Sequence, residues 1–409
     1  MFSNLDILWE EPRVARFLME LGRLARVILF DRRGTGLSDR VTPPTFEVHI
    51  DDIRAVMDAA GSKQACMLGY SEGACIGALF AASCPERTHS LITIGGYARW
   101  SETSDFPHGS KREEIEEWFK ILEHDWGKAV AIEYTAPSLA NDEQYYRWMS
   151  KFFRSSANKT DALAMFKSAL DMDLRAVLPA ISVPTLVLQA TRDLTTPLES
   201  GRDFAARIPS AEIVEIDSED HSPWASCSED ILREIKKFLG EPSATRVIDR
   251  VLVTVLFTDI VDSTRLAAEL GDQRWSDLLE DHHKLIRRQL DIFRGHEVKT
   301  TGDGFHATFD GPARAILCAD AIRASTHQLG LDLRIGIHTG ECEIRGESLE
   351  GIAIHIAARV SAIAAGGEIL VSRTVKDIVS GSGIEFEDIG THTLKGIPED
   401  HQLFKVSSV

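Results

Sequence analysis

The chain has 409 residues, 44% of them apolar and 26% charged, a composition typical of a globular protein with roughly two to three domains. The formal net charge of −18 excludes a general basic field, so the sequence predicts no binding to nucleic acid or to an acidic membrane surface. The start resembles no signal peptide, the apolar runs are too short to span a bilayer, and six scattered cysteines form no CxxC pair. These features predict a reduced, cytoplasmic protein without an integral membrane segment.

Strand and helix patterns alternate through the first 240 residues. Apolar and β-branched runs predict strands at "RVILFDRR" (26–33), "QACMLGY" (64–70), "SLITIGG" (90–96), "PTLVLQATRD" (184–193) and "AEIVEID" (211–217). Helices are predicted near 47–60, 72–83 and 229–239, and a helix-rich stretch at about 100–178 predicts a cap inserted between strands. This alternation is typical of an α/β fold with a parallel sheet.

One break divides the sequence. A helix with lysines in its last turn ends at Gly240, Pro242 follows in a short polar stretch, and a new strand begins near Val251. We therefore predict one domain at 1–240, a linker at 241–249 and a second domain at 250–409.

The second half predicts an α+β domain. After the first strand come predicted helices at 262–293, 311–329 and 351–364, with strands or hairpins at 296–310, 333–344, 368–372 and 391–406. The triplet Asp281, His282, His283 lies in the middle of the first of these helices. We interpret its histidines as a solvated or dimer-facing pair rather than as metal ligands.

A nucleophile motif lies between a predicted strand and a predicted helix. "LGYSEGA" places Ser71 in G-x-S-x-G, where glycines permit a tight turn and the Glu72 N–H at the helix start can hold an oxyanion. The alternative is a tight strand–helix turn with a bystander serine. Asp193 ends a later strand and His221 follows the next one. The order Ser, Asp, His is that of the α/β-hydrolases, in which His accepts the serine proton and Asp orients the imidazole.

The first segment that resembles the α/β-hydrolases corresponds to the fourth strand of that fold, not to its beginning. In the family about three strands precede the segment resembling "FDRRGTGLSD", and the third carries a turn that supplies the second oxyanion N–H. That strand also lies between the fourth strand and the nucleophile strand, so its loss leaves two ladders of backbone groups unpaired. Three explanations remain open: the true start lies upstream, the remaining strands close the gap, or this half is a remnant.

Two acids in the second half predict a metal site. Asp259 ends the strand in "VLFTDIVDST", and Asp303 lies in a tight turn between glycines in "KTTGDGF". Two carboxylates and the Ile260 carbonyl form a hard-oxygen site suited to Mg²⁺ or Mn²⁺. The helix-start N–H groups beside it, at Val261, Asp262, Ser263 and Thr264, can bind phosphates. The alternative is a helix N-cap aspartate and an unrelated turn aspartate.

Residues from about 251 onward closely resemble the class III nucleotidyl cyclase catalytic domain, with its ferredoxin-like core. The resemblance rests on "LFTDIVDST", "VKTTGDGFHATF", "LRIGIHTGE", "GIAIHIAARVSAIAAGGEILVS" and "LKGI", all in family order. It implies two metal ions per site, held by Asp259 and Asp303. It further implies that Lys299 reads adenine, Arg359 stabilises the transferring phosphate and Lys395 holds the terminal phosphates. In the family these sites lie at a dimer interface, so the resemblance implies a homodimer.

Two positions depart from the family pattern. His355 stands where the family usually has a ribose-orienting asparagine, and an imidazole titrates near pH 6.5. Ser348 stands where an aspartate often accepts from the adenine amino group, and serine both donates and accepts. These departures predict a stronger dependence on pH and a weaker preference for ATP over GTP.

The favoured hypothesis is an adenylate cyclase that converts ATP to cyclic AMP under the influence of a hydrolase-like regulatory or ligand-sensing domain. A second hypothesis is a serine hydrolase with Ser71, Asp193 and His221 as its triad, dimerised by a degenerate cyclase domain. A third is a binding module in which both activities are lost.

Overall fold

The computed structural model describes residues 2–41, 46–170, 172–240, 250–345 and 348–409. The chain divides into two compact units, at residues 1–248 and 249–409. The predicted linker at 241–249 lies outside the described residues.

All six cysteines are free thiols, and five of them are buried. Within the described ranges, no helix combines the length and the apolarity needed to cross a membrane.

The first unit is built on a parallel sheet in which the strands follow chain order. Its strands are β1 (Ala65–Tyr70), β2 (Thr88–Ile94), β3 (Thr185–Ala190) and β4 (Ala211–Ile216). Each pairs in parallel with the next. Most residues of β2 and β3 are buried, as expected of central strands covered by helices on both faces.

Ten helices of the described first unit surround or follow these strands. They are α1 (Leu5–Leu8), α2 (Pro12–Leu24), α3 (Phe46–Ala59), α4 (Glu72–Ser83), α5 (Arg112–Asp125), α6 (Ile132–Thr135), α7 (Glu143–Ser156), α8 (Lys159–Leu170), α9 (Leu198–Ala206) and α10 (Ser228–Gly240). Helix α4 is apolar on all sides and almost wholly buried, so it belongs to the interior of the unit. Helices α5 to α8 occupy the segment predicted as a cap.

The predicted strand at "RVILFDRR" is wrong. Residues 26–32 form no strand, and within the described residues β1 pairs only with β2. A strand requires a ladder partner, whereas this segment bonds to side chains: the Arg32 N–H donates to Ser3 Oγ at 3.0 Å. The remaining strands therefore do not close the gap beside β1. Apolar side chains are consequently exposed on both sides of this gap: Val27, Leu29 and Leu68 are 38%, 39% and 40% exposed.

The second unit contains a mixed, largely antiparallel sheet. Its strands are β5 (Arg250–Ile260), β6 (His296–Thr301), β7 (Gly304–Phe309), β8 (Leu333–Arg345), β9 (Ser348–Glu350), β10 (Ile369–Ser372), β11 (Glu385–Thr393) and β12 (Asp400–Ser408). The order is β11-β12-β10-β8-β5-β7-β6, with β9 paired to β8. Among the described strands of this unit, β8 and β10 alone pair in parallel. Together the two sheets confirm the predicted fold class.

Helices cover both faces of this sheet. They are α11 (Ser263–Leu270), α12 (Asp272–Ile292), α13 (Pro312–His327), α14 (Ile352–Ile363) and α15 (Arg373–Ile378). Leu256 packs with buried residues of α12 and α13, whereas its neighbour Val255 packs with Ala353 and Ala357 of α14. The predicted single helix at 262–293 is wrong, because Gly271 with φ +76° separates α11 from α12.

Candidate active sites

The predicted nucleophile lies on a strained turn between β1 and α4. Ser71 has φ 56° and ψ −127°, a backbone conformation that L-residues rarely adopt. Its N–H donates to the Ile94 carbonyl at 2.9 Å, which fastens the turn to β2. The strain and the placement are those of a nucleophile elbow.

The predicted acid and base form a buried pair. His221 Nδ1 donates to Asp193 Oδ2 at 2.7 Å, and each side chain is 1% exposed. Asp193 Oδ1 also accepts from the backbone N–H groups of Thr195 at 2.8 Å and Thr196 at 3.0 Å. These bonds fix the carboxylate, and the carboxylate in turn fixes the orientation of the imidazole.

The third predicted contact is not formed. His221 Nε2 is buried and has no hydrogen-bond partner among the described residues, so Ser71 and His221 are not joined. The strained backbone fixes the Cβ of Ser71, but rotation about χ1 moves the hydroxyl between staggered positions. Of the two contacts expected in a Ser71, His221, Asp193 triad, the structure therefore contains only the one between His221 and Asp193.

An ion pair between Arg32 and Glu72, beside the elbow, was not predicted from the sequence. Glu72 directly follows Ser71, is buried, and accepts from Arg32 Nη1 at 2.7 Å. Arg32 Nη2 also donates to His49 Nε2 at 2.9 Å, and burial, together with the charge of Arg32, holds the pKa of His49 well below its usual value. The signal was a single acid in an otherwise apolar helix, since a buried carboxylate needs a cation.

In the second unit, strand register brings the two predicted metal ligands to one place. Strand β5 runs antiparallel to β7, with Thr258 opposite Phe305. Continuing this register by one residue, forward along β5 and backward along β7, leads to Asp259 and to Gly304, which follows Asp303. The Phe305 N–H also donates to Thr258 Oγ1 at 3.2 Å, and this bond fastens the strand end to the hairpin.

Asp259 is held from its other side. Arg334 Nη2 on β8 donates to Asp259 Oδ2 at 2.5 Å, and the two side chains are partly exposed. Strand β8 pairs Arg334 directly opposite Asp259, so the contact follows from the register. Arg334 was not predicted as a site residue, because its place in "LRIGIHTGE" gives no sign of the strand pairing.

The turn that carries Asp303 is fastened to α12. His283 Nε2 donates to the Gly302 carbonyl at 2.9 Å, and His282 beside it is fully buried. The interpretation of this histidine pair as solvated or dimer-facing is therefore wrong for His282, whereas His283 is partly exposed. Helix α12 faces the hairpin with this side because Ile286 and Leu290, one and two turns further on, belong to the core.

The predicted phosphate-binding turn follows β5. Ile260 has a buried side chain, and the Val261 N–H donates to the Asp332 carbonyl at 2.9 Å. Asp262 has φ 55° and forms the N-cap of α11, with Ser263 and Thr264 in its first turn. The start of α11 thus follows the strand end at Asp259 by only a few residues.

The remaining predicted residues are exposed. Arg359 Nε donates to the Lys395 carbonyl at 3.2 Å, so two residues assigned to the phosphates lie together. His355 lies one helical turn before Arg359 on the exposed side of α14, and Lys299 is exposed on β6. Ser348 begins β9, opposite Arg345, and its side chain lies outside the described part of the structure.

The predicted metal site consists of oxygen atoms only: two carboxylates and one main-chain carbonyl. No group of three or more His, Cys, Asp or Glu side chains able to hold a metal lies within the described residues. A site of two carboxylates and one main-chain carbonyl does not require such a group, and oxygen donors suit Mg²⁺ and Mn²⁺. The register of β5 and β7 supplies both carboxylates at one end of the sheet.

Curated relatives were found for parts of the chain. A receptor-type adenylate cyclase of Trypanosoma brucei brucei is 27% identical over 208 residues, which covers 38% of this chain and 17% of that protein. A strigolactone esterase of Arabidopsis thaliana is 26% identical over 198 residues, covering 48% of this chain and 73% of that protein. The chain thus spans less than a fifth of the length of the receptor-type cyclase.

Solved structures also match. The adenylyl cyclase CyaB from P. aeruginosa is 23% identical, with a TM-score of 0.37, over 39% of this chain and 95% of that one. An adenylate/guanylate cyclase/hydrolase from Silicibacter pomeroyi is 29% identical, with a TM-score of 0.35, over 39% of this chain and 97% of that one.

Two protein families account for nearly the whole sequence. Residues 7–224 match the alpha/beta hydrolase fold family, and residues 249–407 match the adenylate and guanylate cyclase catalytic domain family. The chain therefore belongs to the alpha/beta hydrolase fold family in its first unit and carries a class III adenylate and guanylate cyclase catalytic domain in its second.

Proposed function

We propose that the second unit is a cyclase that converts ATP to cyclic AMP and pyrophosphate. The observation that carries this proposal is the register of β5 against β7, which brings Asp259 next to the turn of Asp303. The family match over residues 249–407 and the receptor-type adenylate cyclases among the relatives support the choice of reaction and of ATP.

In this reaction the ribose 3′-oxygen forms a bond to the α-phosphorus, and the bond from that phosphorus to the bridging oxygen breaks. Pyrophosphate leaves, and the hydroxyl proton is released. Asp259, Asp303 and the Ile260 carbonyl would hold two Mg²⁺ or Mn²⁺ ions. When bound, such ions lower the pKa of the attacking hydroxyl and neutralise phosphate oxygens.

The protein supplies binding and orientation around this centre. Arg359 adds positive charge where negative charge develops, and Lys395, close to it, binds the terminal phosphates. His355 orients the ribose by donating one hydrogen bond. Lys299 and Ser348 contact the adenine ring, and the N–H groups of residues 262–264 bind phosphate oxygens, since the Val261 N–H already donates to the Asp332 carbonyl.

We further propose that each site is completed by a second copy of the chain. Lys299, His355, Arg359 and Lys395 are all exposed in the single chain. Cationic groups that remain in water are available to a polyphosphate and to a partner surface. In a homodimer, the aspartates of one copy would meet these residues of the other, giving two equivalent sites.

The first unit is proposed as a regulatory or ligand-sensing domain in a cytoplasmic protein. A second candidate function is serine hydrolysis, and the buried Asp193–His221 pair at 2.7 Å is the observation that favours it. The unformed Ser71–His221 contact weighs against efficient hydrolysis.

The test is an assay of the purified chain with ATP or GTP, in Mg²⁺ or Mn²⁺, scored for cyclic product. Asp259→Ala and Asp303→Ala should each abolish metal-dependent product formation. Asp277→Ala, an exposed position on α12, is the matched control and should keep normal turnover. Near wild-type turnover by either of the first two variants would refute the metal assignment.

A further inference from the structure

We propose that His283 is a positioning residue for the proposed cyclisation, because it orients the peptide that precedes Asp303. The inference rests on the proposed function. Its geometric basis is the 2.9 Å hydrogen bond from His283 Nε2 to the Gly302 carbonyl. This bond joins α12 to the tip of the β6–β7 hairpin, across 19 residues of sequence.

The Gly302 carbonyl and the Asp303 N–H belong to one planar peptide unit. An outside donor that fixes the carbonyl therefore fixes the direction in which the backbone enters Asp303. The turn needs such a donor, because Gly302 and Asp303 lie beyond the last ladder pair, Thr301 with Gly304. Gly302 has φ +70°, and a glycine there is free to adopt other conformations.

The donor itself is rigidly held. The ring of His283 meets the ring of Phe305 edge to face, with centroids 5.2 Å apart. His282, the preceding residue, is fully buried against the same Phe305 ring at 6.1 Å. Helix α12 is anchored further along by Ile286 and Leu290 in the core. A fixed ring on a fixed helix can therefore transmit its position to the turn.

A residue that orients a metal ligand acts on affinity and turnover, and loss of such partners typically lowers metal affinity or activity about 10–100-fold. The hydrogen bond and the ring packing make separate contributions, and two substitutions separate them. His283→Phe keeps an aromatic ring against Phe305 and removes the donor. His283→Gln removes the ring and keeps an N–H donor of similar reach.

The experiment measures Mn²⁺ binding to the full-length chain by calorimetry without nucleotide, together with Tm and cyclic product formation. His283→Phe should weaken Mn²⁺ binding and turnover by about 10-fold or more, and His283→Gln should restore most of both. His124→Phe, an exposed histidine of the first unit, is the control and should behave as wild type. His283→Ala replaces the Phe variant if that variant lowers Tm.

Two results would overturn the inference: wild-type Mn²⁺ affinity in His283→Phe, or equal losses in the donor-free and Gln variants. Asp303→Ala in the same titration separates this inference from the proposed function. If Asp303→Ala binds Mn²⁺ as wild type does, the proposed metal site is itself wrong. If Asp303→Ala loses binding and His283→Phe does not, only the role of His283 is wrong.

Discussion

The two units differ in how far their polar site residues are exposed to water. In the first unit, Asp193 and His221 are buried and bonded to each other at 2.7 Å. In the second unit, Lys299, Arg359 and Lys395 remain exposed. A hydrogen-bonded pair that is complete within one chain can leave water because each member satisfies the polar atoms of the other. Charged groups whose partner is a nucleotide or a second copy of the chain must stay in water until that partner binds. Exposure of a charged site residue therefore indicates a site that is completed from outside the single chain.

The strongest test of this contrast is complementation between inactive chains. Asp303→Ala and Arg359→Ala should each be inactive alone, yet an equal mixture should recover about a quarter of the wild-type sites, because half of the dimers are heterodimers with one intact site. Cyclic product formation on mixing measures the recovery.

The matched control mixes Asp259→Ala with Asp303→Ala. Both changes fall on the same half of the proposed site, so this mixture should stay inactive. If heterodimers of Asp303→Ala and Arg359→Ala form without recovering activity, the sites are not shared between chains, and the contrast between the two units loses its explanation.

The second prediction concerns hydrolysis by the first unit. Turnover of short p-nitrophenyl esters should be very low, because His221 Nε2 has no hydrogen-bond partner among the described residues, so the proton acceptor of Ser71 is not in place. The residual rate is compared with that of Ser71→Ala. Robust turnover that disappears in Ser71→Ala would show that the buried Asp193–His221 pair serves a working hydrolase.

The third prediction concerns acid stability. His338 is buried, and desolvation, followed by the charge of His401, lowers its pKa to about 3. Below pH 6.5 the His338 imidazole binds a proton in the unfolded chain but not in the folded chain. The stabilisation is therefore complete above pH 6.5 and is lost as the pH falls toward 3. Between pH 7 and pH 5 this residue should lower the free energy of unfolding by about 2 kcal/mol.

His338→Gln should remove that dependence and retain a polar group near Ser372, whose hydroxyl lies 2.7 Å from His338 Nδ1. The measurement is native-state hydrogen exchange of β8 at the two pH values, corrected for intrinsic exchange. His89→Gln, an exposed position of the first unit, should leave the pH dependence unchanged. An equal loss of protection on acidification in wild type and His338→Gln would contradict the assignment.

The smallest expected effect concerns the choice of base. The wild-type chain should prefer ATP over GTP only modestly, and Lys299→Glu should move the ratio further toward equality, because the lysine donates to a ring acceptor that guanine presents differently. The rates of cyclic AMP and cyclic GMP formation from competing ATP and GTP measure the ratio, with Lys236→Glu as an exposed control. A wild-type preference above about a thousandfold, roughly 4 kcal/mol, would show that another residue reads the base.

The sequence by itself determined the features that are local in the chain. The elbow at Ser71 follows from G-x-S-x-G between a strand and a helix, and Asp303 lies in a turn because glycines flank it. Most strands and helices could be predicted because their apolar periodicity is local too. The segment at 26–33 shows the limit: its composition favours a strand, but a strand also needs a neighbour.

Only the tertiary structure decided which distant side chains meet. Arg32 bonds to Glu72, Arg334 to Asp259 and Arg359 to the Lys395 carbonyl, across 40, 75 and 36 residues of sequence. Such contacts depend on strand register and helix packing, which no local pattern encodes. The same holds for His283, which looked like a surface residue in sequence. Its hydrogen bond to the turn of Asp303 forms because a core-anchored helix presents its ring to that turn.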